Sequence, residues 1–280
     1  MKLIVSRLSG FCFGVERAMK MALQAAKRSS KDLYTLGPLI HNPQAVIYLE
    51  SLGIQPKDRV EEIPRGTVIF RSHGISKKDL EKVKEKGLKI IDATCPIVKK
   101  AHHAAKFLDR NGYPLVIVGD PKHPEVEAIR SYLRQEAMVV ESPEAITKMG
   151  NYKRLGVIAQ TTQNFEVFKK VVKACLEKAV EVRVFNTICH ATALRQKEAV
   201  EIARKVDCMI VIGGYESGNT QRLVHICREV QPKTYHIETP KDLNPSWFKN
   251  IKRVGLTTGA STPSWIAQEV EKEIRRRNPQ

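Results

Sequence analysis

Two hydrophobic patterns alternate along the 280 residues of this chain. Short apolar runs typical of strands are separated by longer segments in which apolar residues recur every three or four positions, as on one face of a helix. Strands that alternate with helices in this way predict an α/β protein built from parallel sheets. Ligands of such sheets gather beyond the carboxyl ends of the strands, so functional residues are expected in the turns there.

The same succession of strands and helices occurs three times. The predicted strands cover residues 2–6, 33–36, 67–71, 88–92, 114–118, 137–141, 154–159, 182–186, 208–212, 234–237 and 253–257. The predicted helices cover 15–27, 43–52, 76–86, 96–110, 163–179, 191–204, 219–230 and 263–277, with one more ending near 133 and a short one after Pro143. Residues 53–66 are predicted to be a connection. This repetition predicts three similar lobes with small parallel sheets, arranged as a pseudo-threefold ring. The lobes are residues 13–95, 96–189 and 190–280, and residues 1–12 supply the strand that the third lobe lacks.

Cysteines occur at equivalent places in the three repeats. Cys12, Cys95 and Cys189 each follow a predicted strand and precede a predicted helix, at separations of 83 and 94 residues. Pro96 suits a first helical position, and the positive end of a helix dipole favours a thiolate at the residue before it. Cys175, Cys208 and Cys227 lie inside predicted elements and are interpreted as core thiols. Three cysteines are therefore expected to converge on one point.

Three thiolates without a fourth suit a 4Fe–4S cluster with one iron open to a non-protein ligand. Zinc bound by three cysteines and a histidine is the alternative, although zinc ligands usually come as local pairs, and the chain has no Cys-x-x-Cys. Spacing alone favours the cluster and leaves zinc open.

Histidines mark three further turns. His41, His73 and His123 each follow a strand and precede a helix, where imidazolium donors and helix N-termini both favour phosphate oxygens. Ser217, Asn219 and Ser261 add neutral donors in the third repeat. Because the chain has neither GxGxxG nor a P-loop, a small phosphorylated or diphosphorylated substrate fits better than a nucleotide.

One carboxylate lies among these turns. Glu125 follows His123-Pro124 in the first turn of a helix, where its ordinary role is to stabilise the helix dipole. Its place also allows it to donate a proton to a leaving hydroxyl, with Thr161 passing or positioning that proton. Glu127, two residues further on, is expected to point elsewhere.

Charge and composition limit the classes of partner. The net charge of +17 and pI near 9.7 are compatible with nucleic acid, an anionic substrate or an acidic protein. Aromatic content is only 6%, without aromatic–basic interleaving, so a solvated basic surface is preferred to a nucleic-acid site. No apolar run reaches membrane-spanning length, and no signal peptide or disulfide framework is indicated, so a cytoplasmic protein that does not bind membranes is expected.

Taken in order, these segments resemble the 4-hydroxy-3-methylbut-2-enyl diphosphate reductase family, which ends the methylerythritol phosphate route to isoprenoids. The resemblance spans nearly the whole chain and rests on Gly10-Phe11-Cys12-Phe13-Gly14-Val15, Gly37-Pro38-Leu39-Ile40-His41-Asn42-Pro43, Ser72-His73-Gly74, Asp92-Ala93-Thr94-Cys95-Pro96, His123-Pro124-Glu125-Val126, Gln160-Thr161-Thr162, Cys189 with Ala191-Thr192 and Arg195-Gln196, Ser217-Gly218-Asn219-Thr220, and Gly259-Ala260-Ser261-Thr262-Pro263. Each segment is weak alone, whereas the ordered set is highly specific.

The resemblance implies an enzyme with a 4Fe–4S cluster on Cys12, Cys95 and Cys189 and the substrate hydroxyl on the open iron. Two electrons and two protons would convert (E)-4-hydroxy-3-methylbut-2-enyl diphosphate to isopentenyl and dimethylallyl diphosphates, with Glu125 and Thr161 in the proton path. It implies an acidic electron donor such as a ferredoxin or flavodoxin. The residues implied to bind the diphosphate are His41, His73, His123, Thr161, Ser217, Gly218, Asn219 and Ser261.

Two positions depart from the family pattern. Gly218 stands where some members have a second serine, so a backbone N–H would replace one side-chain donor, and Ala128 stands where glycine is common. The alternative from another class is a basic nucleic-acid-binding protein with a structural zinc site.

Overall fold

The computed structural model describes residues 1–28 and 32–277. Strands in these residues are β1 (Lys2–Val5), β2 (Leu33–Leu36), β3 (Ile54–Lys57), β4 (Thr67–Phe70), β5 (Lys89–Asp92), β6 (Leu115–Val118), β7 (Met138–Val140), β8 (Tyr152–Ala159), β9 (Ala179–Val184), β10 (Cys208–Ile212), β11 (Thr234–Ile237) and β12 (Arg253–Thr258). Helices are α1 (Phe13–Arg28), α2 (Pro43–Ser51), α3 (Lys77–Glu85), α4 (Pro96–Arg110), α5 (Pro124–Ser131), α6 (Glu144–Thr147), α7 (Phe165–Leu176), α8 (His190–Ala203), α9 (Gly218–Val230) and α10 (Ser264–Arg277).

These strands form three four-stranded sheets in which every pairing is parallel. Starting from the edge strand that leads to a cysteine, the orders are β1-β12-β10-β11, β5-β4-β2-β3 and β9-β8-β6-β7. In each sheet this edge strand pairs with the strand that precedes it in the repeat. β5 pairs with β4 and β9 pairs with β8, while β1, which completes the third repeat, pairs with β12. The predicted α/β class with three small parallel sheets is confirmed.

The N-terminal strand completes the sheet that contains the C-terminal strands. β1 pairs with β12 in the register Lys2↔Arg253 to Val5↔Leu256, and β12 pairs in turn with β10. This pairing confirms the prediction that residues near the N-terminus share a sheet with strands 208–212 and 253–257.

The chain divides into two compact units. Unit 1 comprises Met1–Glu16, Ile40–Tyr48 and His190–Gln280 and contains the sheet β1-β12-β10-β11. Unit 2 comprises Arg17–Leu39 and Leu49–Cys189 and contains the other two sheets. The predicted boundaries of three lobes stay a prediction, and residues 278–280 of the third lobe lie outside the described residues.

Helices cover both faces of the unit 1 sheet, which explains its uninterrupted apolar strands. Alternate residues of β10 point to opposite faces, so Ile210 packs with α10 residues such as Val270 while Val211 packs with α8 and α9 residues such as Leu223. These side chains are fully buried, and each contributes roughly 1.5–3 kcal/mol to folding. Rigid strands of this kind fix where the turns at their carboxyl ends lie.

Two edge strands differ from the prediction. Residues 54–57 form β3 rather than part of a connection, because Pro56 lacks only an N–H that an edge strand need not donate. β9 begins at Ala179 instead of 182, since β8 extends back to Tyr152 and pairs with Ala179 there. The apolar pattern of both strands is weak because each lies at the edge of its sheet, where most of its side chains are exposed or only partly buried.

No helix within the two described ranges combines the length and apolarity that crossing a membrane requires.

Candidate active site

The three candidate ligand cysteines occupy the same position relative to their own sheets. Each follows the edge strand and donates its backbone N–H to a carbonyl in the turn after the adjacent strand. The donor–acceptor distances are 3.0 Å for Cys12 to Ala260, 2.9 Å for Cys95 to Ser72 and 2.8 Å for Cys189 to Thr161. Sheet topology therefore places each thiol at the carboxyl end of its sheet, as the sequence predicts.

Helix starts add to this equivalence. Cys95 is the N-cap residue of α4 with Pro96 in the first turn, and its carbonyl accepts from Lys99 N–H at 3.0 Å. The Cys12 carbonyl accepts from Glu16 N–H at 2.8 Å, and α8 begins directly after Cys189. Each of the three cysteines thus lies at a helix N-terminus, the positive end of the helix dipole.

Burial separates the six cysteines into two groups of three. Cys12, Cys95 and Cys189 are only partly buried. Cys175, Cys208 and Cys227 are fully buried, and desolvation raises their pKa values to about 11, 12 and 12. Because metal ligation requires a thiolate, the buried group is unsuited to it and the partly buried group fits a three-cysteine donor set.

Glu125 and Thr161 form a buried pair in unit 2. The carboxylate oxygen Oε1 accepts from Thr161 N–H at 2.6 Å, and Oε2 accepts from Thr161 Oγ1 at 2.6 Å. Glu125 is 1% exposed and Thr161 is 4% exposed. Two hydrogen bonds to one residue fix the carboxyl plane, and the hydroxyl is placed to exchange a proton with Oε2.

His123 caps the helix that carries Glu125. Its Nδ1 accepts from Glu125 N–H at 3.1 Å, so the ring proton of this neutral imidazole lies on Nε2. Nε2 is therefore the ring nitrogen through which His123 can donate to an anion, and its role as a diphosphate ligand stays a prediction. The His73 ring meets it edge to face at 5.5 Å between ring centres, so these two predicted diphosphate ligands lie together in unit 2.

Unit 1 holds five candidate diphosphate ligands, four of them at or beside the start of α9. Ser217 is the N-cap residue of α9, Gly218 is its first residue, and Ser261 Oγ lies 3.5 Å from Ser217 Oγ. The His41 carbonyl accepts from Ser261 Oγ at 3.0 Å. These contacts bring His41, Ser217 and Ser261 to one helix N-terminus, which suits an anion.

Asn219 places a buried side-chain amide without hydrogen-bond partners in the described residues at the start of α9. It is 5% exposed, and neither its side-chain oxygen nor its nitrogen has a partner in the described residues. A buried amide left unpaired costs about 1–3 kcal/mol for each group, so this side chain fits a bound polar ligand.

Two positioning residues escape the sequence prediction. Gln160 Oε1 accepts from Asp120 N–H at 3.0 Å, and Gln160 Nε2 donates to Thr162 Oγ1 at 2.9 Å. These two hydrogen bonds connect the turn that leads to His123 with the turn that contains Thr161. A Cβ on Gly214 would lie 2.7 Å from the His41 carbonyl oxygen. In the sequence, the pair Gly213-Gly214 after β10 is the feature from which this close approach could have been predicted.

Comparisons with known proteins agree over nearly the whole chain. Residues 3–275 match the family model described as LytB protein. A protein of Geobacter sulfurreducens named 4-hydroxy-3-methylbut-2-enyl diphosphate reductase is 52% identical over 275 residues, covering 98% of this chain and 97% of the relative. The protein of the same name from Geotalea uraniireducens is 51% identical, covering 99% of this chain and 98% of the relative.

Solved structures give the same result. A structure described as (E)-4-hydroxy-3-methyl-but-2-enyl diphosphate reductase, the terminal enzyme of the non-mevalonate pathway, is 49% identical with a TM-score of 0.72, covering 99% of this chain and all of that one. The E-1-hydroxy-2-methyl-but-2-enyl-4-diphosphate reductase from Plasmodium falciparum is 28% identical with a TM-score of 0.92, covering 99% of this chain and 88% of that one.

Proposed function

The chain belongs to the LytB protein family and is an oxidoreductase, and we propose that it reduces (E)-4-hydroxy-3-methylbut-2-enyl diphosphate to isopentenyl and dimethylallyl diphosphates. Family membership confirms the resemblance predicted from the ordered motifs. Two electrons and two protons enter, and the substrate hydroxyl leaves as water. The observation that carries the proposal is the repeated position of Cys12, Cys95 and Cys189 at the ends of three equivalent sheets.

A 4Fe–4S cluster bound by these three cysteines would supply the electrons and, at its open iron, a Lewis acid for the substrate hydroxyl. The donor set supports this ligand assignment, because the three thiols are partly buried at helix starts while the other three are inert core residues. The competing zinc site would use the same three cysteines with one histidine, whereas zinc ligands usually come as local pairs.

The proposed diphosphate ligands in unit 2 are His73, His123 and Thr161. Those in unit 1 are His41, Ser217, Gly218, Asn219 and Ser261. Support comes from the unpartnered amide of Asn219 and from the His123 tautomer that carries its ring proton on Nε2. Gly218 would contribute its backbone N–H in the first turn of α9.

Glu125 and Thr161 would deliver the proton that the leaving hydroxyl requires. When Glu125 is protonated at Oε2, its hydrogen can pass to Thr161 Oγ1 while the hydroxyl hydrogen of Thr161 passes on to substrate. The hydrogen-bonded pair at 2.6 Å is the geometry that such a transfer needs.

Colour tests the proposal directly. Protein purified without oxygen is expected to be brown, with broad absorption around 400 nm, and to consume the hydroxylated diphosphate when methyl viologen supplies electrons. A colourless protein that binds nucleic acid, with affinity falling steeply as salt rises, would support the alternative of a basic nucleic-acid-binding protein with structural zinc. None of the relatives described above carries such a name.

The electron donor is proposed to be a small acidic protein such as a ferredoxin or flavodoxin, because the chain carries a net charge of +17. We expect the reductase rate supported by reduced flavodoxin to fall by about tenfold between about 0.05 M and about 0.5 M NaCl, as screening weakens the attraction. The rate supported by methyl viologen provides the control and is expected to change little. Equal salt dependence with both donors would contradict electrostatic docking.

A further inference from the structure

Arg195 is a buried cation to which the proposed chemistry gives no role. It lies in α8, six residues after Cys189, and is only 5% exposed. Its Nη1 donates to the carbonyl and to Oγ1 of Thr258 at 2.9 and 3.0 Å, and its Nη2 donates to the Gly10 carbonyl at 3.0 Å. The guanidinium therefore joins the end of β12 to the loop that precedes Cys12.

The same loop is tied to β12 at two further points. Gly10 N–H donates to Thr258 Oγ1 at 2.9 Å, so this hydroxyl oxygen accepts from both Gly10 and Arg195. Cys12 N–H donates to the Ala260 carbonyl, two residues beyond Thr258. Gly10 has φ of +97°, a conformation that glycine tolerates and that turns the chain toward Cys12. Arg195 thus holds the centre of the network that shapes the ligand loop.

Glu198 holds the beginning of this loop from the next turn of α8. Its carboxylate accepts from Ser6 Oγ, from Arg7 N–H at 2.9 Å and from Leu8 N–H at 3.2 Å. Arg195 and Glu198, which lie one turn apart on α8, therefore form hydrogen bonds with most residues from Ser6 to Gly10.

Charge gives a second reason to place Arg195 there. Burial lowers the pKa of Arg195, while electrostatic interactions with Cys12 and with Glu198 act to raise it. The hydrogen bonds of the guanidinium go to carbonyl and hydroxyl oxygens of Gly10 and Thr258. A cation buried among neutral oxygens is costly, and this one lies against the Gly10 carbonyl, two residues before Cys12.

We propose that Arg195 is a positioning residue for Cys12, which it serves by fixing the Ser6–Cys12 loop together with Glu198 and by holding a positive charge at the Gly10 carbonyl, two residues before Cys12. The proposal rests on the proposed function, since the purpose of the loop is to present Cys12 to the cluster. A positive charge near a cluster stabilises its reduced form and raises its reduction potential.

Hydrogen exchange of the full chain after chelation of its iron tests the positioning role. We expect Arg195→Met and Arg195→Lys to speed amide exchange in residues 6–12 at least about tenfold, and Glu198→Gln to speed it at Arg7 and Leu8. Arg228→Met is the control for losing an arginine–carbonyl hydrogen bond elsewhere in unit 1, because the exposed Arg228 donates from Nε to the Thr234 carbonyl at 3.2 Å. If exchange in residues 6–12 is the same in the Arg195 variants as in Arg228→Met, the positioning role is overturned.

Redox titration of the cluster, followed by electron paramagnetic resonance, tests the role of charge. Arg195→Met is expected to lower the reduction potential, whereas Arg195→Lys keeps the charge and is expected to stay near wild type. Release of the cluster to a chelator is expected to be faster in both variants than in Arg228→Met. Equal potentials in the methionine and lysine variants would overturn the charge effect. A wild-type protein without a cluster would instead contradict the proposed function, while the exchange experiment would still decide whether Arg195 holds the loop.

Discussion

Replacement of Cys12, Cys95 or Cys189 by serine is expected to abolish the absorption around 400 nm of the anaerobic protein and to reduce reductase activity to background. Serine keeps the size of the side chain but offers a hard, weakly acidic hydroxyl in place of a thiolate. Each cysteine would be one of only three protein ligands, so the loss of any one leaves two irons without a cysteine. The measurement is iron and sulfide content together with the visible spectrum, on protein handled without oxygen.

The other three cysteines provide an internal control. Cys175, Cys208 and Cys227 are fully buried in helix–sheet cores, and burial raises their pKa values. Their replacement by serine is expected to lower the free energy of unfolding by about 1–3 kcal/mol, because a hydroxyl replaces a thiol among apolar neighbours, and to leave the spectrum unchanged. A Cys175→Ser protein without colour, beside a brown Cys189→Ser protein, would show that the ligands are assigned wrongly.

The sequence predicted the central strands best, because they are buried on both faces. β2 and β10 are buried along their whole length and occur at the predicted residues, since a buried run bounded by turns leaves little ambiguity. β3 and β9 were harder to predict because edge strands have one unpaired side and weaker patterns. Their extent is set by pairing with β2 and β8, which is information from distant parts of the chain.

The site was predictable to the extent that it consists of turns after strands. Glu125 and Thr161 could be singled out by position, but the two hydrogen bonds between them depend on how β6 and β8 pair. The ring tautomer of His123 was beyond prediction, because it follows from the local geometry of a helix cap. Arg195 appeared only as part of a motif, since its role depends on contacts with residues 63 and 185 positions away.

Replacement of Glu125 by glutamine has the second of the two largest expected effects. A hydroxide ion is a poor leaving group even when bound to a Lewis acid, so its departure requires a proton on the substrate side of the site. General acid catalysis by a positioned carboxyl group is worth about 10²- to 10⁴-fold in rate. Glu125→Gln is therefore expected to slow turnover by roughly that factor, with substrate affinity and cluster content close to wild type.

A glutamine at position 125 can keep both hydrogen bonds that Glu125 forms with Thr161. The glutamine Oε1 can accept from Thr161 N–H as Glu125 Oε1 does, and the amide nitrogen can donate to Thr161 Oγ1 in place of the bond now made by Oε2. The buried pair thus keeps two hydrogen bonds and loses only the transferable proton. A purely structural Glu125, which would stabilise the start of α5, predicts the opposite pattern of a small loss of stability and nearly full activity.

Thr161 separates proton transfer from positioning. Thr161→Val removes the hydroxyl while the backbone N–H can still donate to Glu125 Oε1, and Thr161→Ser keeps the hydroxyl. If the hydroxyl lies in the proton path, we expect the valine variant to be slowed comparably to Glu125→Gln and the serine variant to recover most of the rate. Anaerobic single-turnover assays measure the chemical step for all three variants, with thermal unfolding as the check on stability. Turnover by Glu125→Gln within a few-fold of wild type would contradict a role in proton transfer. Glu125 would then serve only to stabilise the start of α5.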